Sequence, residues 1–169
     1  DWGLTRQLRD AQCHPIWEGS ENICVLDVLR TIRRDQADQA ILARVDEALS
    51  VATSGAPSWL APAIDAVATA RTELVDRIAG LGGREPDAAE AVAARLCDLL
   101  VRTTAAALLL EQAGDGGDLA AHKALIALRY TRRHHDTGAT WSDNIAATAG
   151  RDLLAYAELD PDTAAKAAV

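Results

Sequence analysis

The sequence predicts an all-α fold, an antiparallel helical bundle, from three observations. Hydrophobic residues make up 49% of the chain but aromatics only 4%, with no Phe and no Met. The core must therefore be Ala, Leu, Val and Ile, and Ala and Leu are strong helix formers. Apolar residues recur three and four apart, and no alternating strand pattern is found. The breaks between these stretches are short Gly- and Pro-containing clusters, so successive helices should turn back on one another.

Residues 1–22 read as irregular or partly helical. Leu4–Ala11 has the character of a helix end, and Pro15 stops any continuation. Gly19-Ser20 supplies a flexible position and an N-cap. From there Ile23, Leu26, Leu29 and Ile32 predict one apolar helix face, and Arg30, Arg33 and Arg34 complement the helix dipole at its end. A second helix is expected over Gln36–Val51, with Ile41, Val45 and Leu49 as its stripe. Ser54-Gly55-Ala56-Pro57 ends it, and Ser58 caps a third helix over Trp59–Leu81, with Pro62 tolerated in the first turn. Gly82-Gly83 and Pro86 separate that helix from a fourth over Asp87–Gln112. Leu96, Leu99, Leu100, Ala107 and Leu110 make it the most buried element expected. Further helices are expected over Leu119–His134 and Asp143–Leu159, with a fraying Ala-rich tail after Pro161. Trp59 and Trp141, near helix starts, read as core or staple residues; Tyr130 and Tyr156 have no partner that the sequence names.

A formal charge of −8 and a pI near 4.9 repel phosphate backbones and anionic lipid on average. No apolar run approaches the ~20 residues of a membrane-spanning helix, so no membrane partner is expected and the protein is read as cytoplasmic. Cys13, Cys24 and Cys97 lack metal-ligand spacing and read as reduced, mostly buried thiols. The chain starts Asp-Trp-Gly without a Met and is read as a fragment or processed product.

The densest chemical signal is Arg9-Asp10-Ala11-Gln12-Cys13-His14-Pro15-Ile16-Trp17-Glu18-Gly19-Ser20-Glu21-Asn22-Ile23. Glu18 stands between a bulky indole and a glycine. An apolar neighbour such as Trp17 can desolvate a carboxylate and raise its pKa into the range of a useful base. Gly19 admits close approach of a ligand or another backbone. Ser20 opens a helix whose free N–H groups can meet a polar or anionic group. His14, before Pro15, reads as structural.

This segment resembles the signature near the end of acyl-CoA dehydrogenases, in which an Arg-Asp-Ala element precedes an aromatic residue, Glu, Gly, Ser or Thr, two variable residues and Ile. The matching residues are Arg9-Asp10-Ala11, Ile16-Trp17-Glu18-Gly19-Ser20 and Asn22-Ile23. Trp17-Glu18-Gly19-Ser20, followed by Leu26-Asp27-Val28-Leu29-Arg30, resembles the alkylation-response (AidB-like) branch more than the medium-chain enzymes. The likeness is specific over residues 1–34, taken as the end of the dehydrogenase C-terminal domain with the catalytic loop. Residues 35–169 are taken as a helical bundle extension.

The resemblance implies oxidation of an acyl-CoA thioester to the 2-enoyl thioester, with FAD as cofactor. It makes Glu18 the base that removes the α-proton, with its own N–H helping to hold the thioester oxygen. Gly19 would lie against substrate, and Ser20, Glu21 and Asn22 would line the flavin side, Ser20 and Asn22 foremost. A Glu at this position argues against nitroalkane oxidation, for which relatives use Asp. An electron acceptor such as electron-transferring flavoprotein and a homo-oligomer are implied partners. The 169-residue chain alone is expected to bind no flavin and to lack activity.

Two other functions are carried beside this one. The first is a DNA-associated flavoprotein of the alkylation response, for which the basic run Arg129, Tyr130, Arg132, Arg133, His134 and His135 is the candidate contact, opposed by the charge of −8. That run otherwise reads as dipole complementation and solvation, and adjacent His134-His135 lack the spacing of a helical metal pair. The second is a non-catalytic oligomerisation bundle.

Overall fold

The computed structural model describes residues 4–13, 20–135, 152, 155 and 159–168. Among these residues there are seven α-helices and no strand. They are α1 (Leu4–Cys13), α2 (Glu21–Asp35), α3 (Ala37–Gly55), α4 (Ala61–Ala79), α5 (Pro86–Gly114), α6 (Ala120–His134) and α7 (Pro161–Ala167). A 3-10 turn, Ser58–Leu60, precedes α4.

Helices α3 to α6 form an up-down-up-down bundle around α5, which packs against α2, α3, α4 and α6. The two core clusters fix the directions. Leu60, just before α4, and Ala63 and Val67 from its start share one cluster with Ala106, Ala107 and Leu110 from the second half of α5. Leu74, toward the other end of α4, and Leu81, just past it, join Ala89, Ala93 and Leu96 from the first half of α5. Helices α4 and α5 are therefore antiparallel. Helix α3 runs with α5, and their last residues meet: a Cβ on Gly55 would lie 2.1 Å from the Gly114 carbonyl oxygen. Only two glycines allow the backbones so close.

Local chemistry explains the boundaries. Gln36, at φ 53, is the left-handed residue that separates α2 from α3. Pro62 and Pro86 sit in the first turns of α4 and α5, where a missing N–H costs nothing. Gly83, at φ +80, turns the chain between them. Ser58 starts the 3-10 turn rather than capping a helix directly, because that turn buries Leu60 before α4 begins.

Several expectations change. Leu29 and Ile32 of α2 are buried in the second cluster, but Ile23 (57% exposed) and Leu26 (40%) are not covered. The buried face of α3 is Val45, Ala48 and Ala52, while Ile41 and Leu49 lie at its margin. The tail after Pro161 is a helix and not a frayed end. The Asp160 side chain accepts a hydrogen bond from the Thr163 N–H at 3.0 Å, and Ala164, Ala167 and Ala168 are buried. The cysteines are not mostly buried: Cys13 and Cys24 are exposed, and Cys97 is half-buried. Of the helix expected over Asp143–Leu159, Asp152 and Ala155 are helical and Leu159 is buried; its other residues, Tyr156 included, and Trp141 lie outside the described ones. No helix among the described residues is long and apolar enough to cross a membrane.

Candidate functional site

Helix α1 ends at Cys13 and α2 starts at Glu21, so the connection between them carries the carboxylate singled out above. Glu18 and Gly19, with His14 and Trp17, lie outside the described residues. Ser20, Glu21 and Asn22 are described, and all three are exposed at the start of α2.

Ser20 occupies the N-cap position, with extended backbone at φ −68 and ψ 158. Its carbonyl accepts from the Ile23 N–H at 2.9 Å and the Cys24 N–H at 3.2 Å. Its hydroxyl makes no capping hydrogen bond, contrary to the expected cap. Among the described residues, the hydroxyl and the Glu21 and Asn22 N–H groups thus have no hydrogen-bond partner. The Asn22 amide adds a donor and an acceptor. Glu21 complements the dipole here but repels a second anion. This donor set suits a neutral polar group better than an anion.

Along α1, Arg6 pairs with Asp10 at 3.8 Å, and both side chains are largely exposed. Leu8 is 60% exposed. With Ile23 and Leu26, the helices flanking the signature loop carry uncovered apolar side chains.

The basic run of α6 is partly folded inward. The Arg132 guanidinium donates to the Ala168 carbonyl at 2.8 Å, tying α6 to the end of α7. The Tyr130 and His134 rings pack in a tilted arrangement, centroids 4.3 Å apart and planes at 45°, which supplies the partner that the sequence did not name for Tyr130. Burial and the nearby Arg102 hold the His134 imidazole below its ordinary pKa. Burial does the same for His135, opposed first by a hydrogen bond with the Arg102 backbone and then by Glu73, while the Arg102 charge adds to the lowering. No group of three or more His, Cys, Asp or Glu side chains among the described residues could hold a metal ion. Trp59 packs against the first core cluster, as a staple residue would.

Sequence reading missed a cavity of about 360 Å3 at the other end of α2, lined by Ile32, Arg33, Ile78, Leu81, Arg84 and the Gly82-Gly83 turn. Arg33 had been read only as a dipole complement, and Arg84 was not singled out. The available signal was a Gly-Gly-Arg break placed between two apolar helix ends.

Comparison with protein-family models, curated proteins and solved structures returns no match to this chain.

Proposed function

We propose that the chain is the C-terminal part of an FAD-dependent acyl-CoA dehydrogenase of the alkylation-response type, with Glu18 as its base. The observation that carries this reading is the order of the signature residues relative to the helix start. Arg9-Asp10-Ala11 falls on α1, and Glu18-Gly19 falls in the connection just ahead of Ser20, the N-cap of α2.

The reaction needs a base that can remove a weakly acidic proton beside a thioester carbonyl. A carboxylate at Glu18, which an apolar neighbour such as Trp17 would shield from water, would supply that base. The Glu18 N–H would donate to the thioester oxygen and stabilise the charge that develops there. Gly19, with no Cβ, lets the acyl chain lie against the backbone. Ser20 and Asn22 would hold the polar edge of the flavin ring. The flavin, when bound, accepts the β-hydrogen as hydride.

The exposed apolar residues Leu8, Ile23 and Leu26 support the same reading. They flank the loop where the rest of a flavin site would pack, and an oligomer is proposed to cover them. Electron-transferring flavoprotein is the proposed acceptor.

The test is anaerobic titration of the intact flavoprotein with an acyl-CoA. Bleaching of the oxidised flavin band is expected, while the isolated 169-residue chain retains no flavin on gel filtration. An intact protein that purifies without flavin, or whose flavin no acyl-CoA reduces, would overturn the assignment.

A further inference from the structure

Acids outnumber bases in this chain, 25 to 17, so an arginine paired with a carboxylate is the ordinary case. Arg44, Arg71, Arg77 and Arg102 each sit on one. At the far end of α2 the pattern breaks. The cavity between the ends of α2 and α4 is lined by Arg33 and Arg84, by apolar Ile32, Ile78 and Leu81, and by Gly82 and Gly83. No carboxylate lines it among the described residues, although Asp35 and Asp76 lie on the same two helices. Arg33 is exposed, and no acid among the described residues lies within ion-pair distance of it.

Arg33 also borders a cleft with Glu90, and Arg84 another cavity with Glu73 and Asp76. Two arginines that line one cavity nonetheless repel each other unless an anion lies between them. Arg84 is held in place for that role. Its Nε donates to the Gly80 carbonyl at 2.7 Å, which satisfies the end of α4 and leaves the outer nitrogens of the fork without a partner among the described residues. Ile32 and Leu81 form a buried floor beside the charges. A volume of about 360 Å3 lies at the small end of ligand sites, which span ~300–1,000 Å3. The adjoining cavity beyond Leu81 is larger, about 530 Å3, but Glu73 and Asp76 line it and make it a poorer place for an anion.

We infer that this cavity is a binding site for a small amphiphilic oxyanion, with a phosphate-type head between Arg33 and Arg84 and an apolar tail over Ile32, Ile78 and Leu81. Planar guanidinium forks suit a phosphate oxygen pair, and the floor selects for an attached alkyl group. The site stands apart from the start of α2 by the length of that helix, roughly 20 Å. It does not depend on the reading of Glu18.

The experiment is calorimetric titration of the 169-residue chain with octyl phosphate, inorganic phosphate and octanol. Octyl phosphate is expected to bind one to one, more tightly than either half of its chemistry, and less tightly as salt rises. Arg33→Ala should weaken it roughly tenfold or more, since a charged hydrogen bond is lost. Arg33 makes no ion pair among the described residues, so the circular dichroism melt of this variant should match wild type. Arg84→Lys, which keeps the charge and loses the fork, should weaken binding less. Sedimentation with phosphatidic acid vesicles but not phosphatidylcholine vesicles, lost in Arg33→Ala, would assign the head group to a lipid. Binding of free octyl phosphate without sedimentation would assign a soluble ligand. If octyl phosphate binds no better than octanol, or binds Arg33→Ala equally well, and vesicles are ignored, the inference is wrong.

Discussion

Replacing Gly55 with alanine sets two opposing effects against each other, and the structure decides between them. Alanine is the better helix former by roughly 0.8–1.0 kcal/mol in a helix interior, and by less at the last residue of α3. That alone would stabilise. The new Cβ, however, would stand 2.1 Å from the Gly114 carbonyl oxygen and 3.0 Å from its carbon. Non-bonded atoms prefer separations near ~3.5–4.0 Å, so the ends of α3 and α5 must part by more than ~1 Å. Ala52 and Ala113, fully or almost fully buried beside this crossing, would lose contact with their neighbours. Overpacking of this kind costs about 1–3 kcal/mol or more. The clash outweighs the propensity gain, and a net loss of about 1–2 kcal/mol is expected. For a chain of this size that lowers Tm by roughly 2–8 °C. Thermal melts followed by circular dichroism would measure it, with Gly117→Ala as control, because nothing lies within 4 Å of a Cβ built there. A Gly55→Ala melt equal to wild type, or higher, would refute the close crossing.

Three further outcomes follow from the same packing. Thr103 is fully buried with its hydroxyl unpartnered, so Thr103→Val should raise stability by about 1 kcal/mol, read as a higher urea midpoint at unchanged slope. His135 is held below its ordinary pKa mainly by burial. Near pH 6.5 and below, the unfolded chain therefore binds more protons than the folded one. Stability should fall as pH drops from about 6.5 toward the lowered pKa of the folded state, and His135→Gln should flatten that slope in urea titrations at stepped pH. Cys13 and Cys24 are exposed, whereas burial raises the pKa of Cys97, so a thiol reagent should modify two groups quickly and the third slowly. Three equally slow thiols would contradict this.

How far the fold could be read beforehand follows from the residues themselves. Gly, Pro and Ser punctuate the chain wherever a helix stops, and each element from α2 to α6 falls within a few residues of its expected span. Buried faces were harder to find. Ala48 and Ala52 are buried while Ala40 and Ala43 are exposed on the same helix, and nothing in an alanine's type distinguishes the two. Periodicity in α2 identified an apolar face, yet Ile23 and Leu26 lie beyond the reach of α5 and stay uncovered. Helix α7 was dismissed because short Ala-rich ends fray, although Asp160 followed by Pro161 was a readable start signal. Cysteine burial was inferred from a general preference that tertiary position overrode. The signature was visible because its chemistry is local in sequence. The Arg33–Arg84 cavity was not, since it needs α2 brought against the turn after α4.

The central functional claim is that the carboxylate at Glu18 removes a proton beside a thioester. The direct measurement is exchange of that α-proton into deuterated water, catalysed by the intact flavoprotein and followed by mass spectrometry of the acyl-CoA. Exchange is expected in the wild type and should be lost in Glu18→Gln, while the oxidised-flavin spectrum of the variant stays unchanged. Exchange that persists at the wild-type rate in Glu18→Gln, with flavin bound, would contradict the claim and move the base elsewhere in the protein.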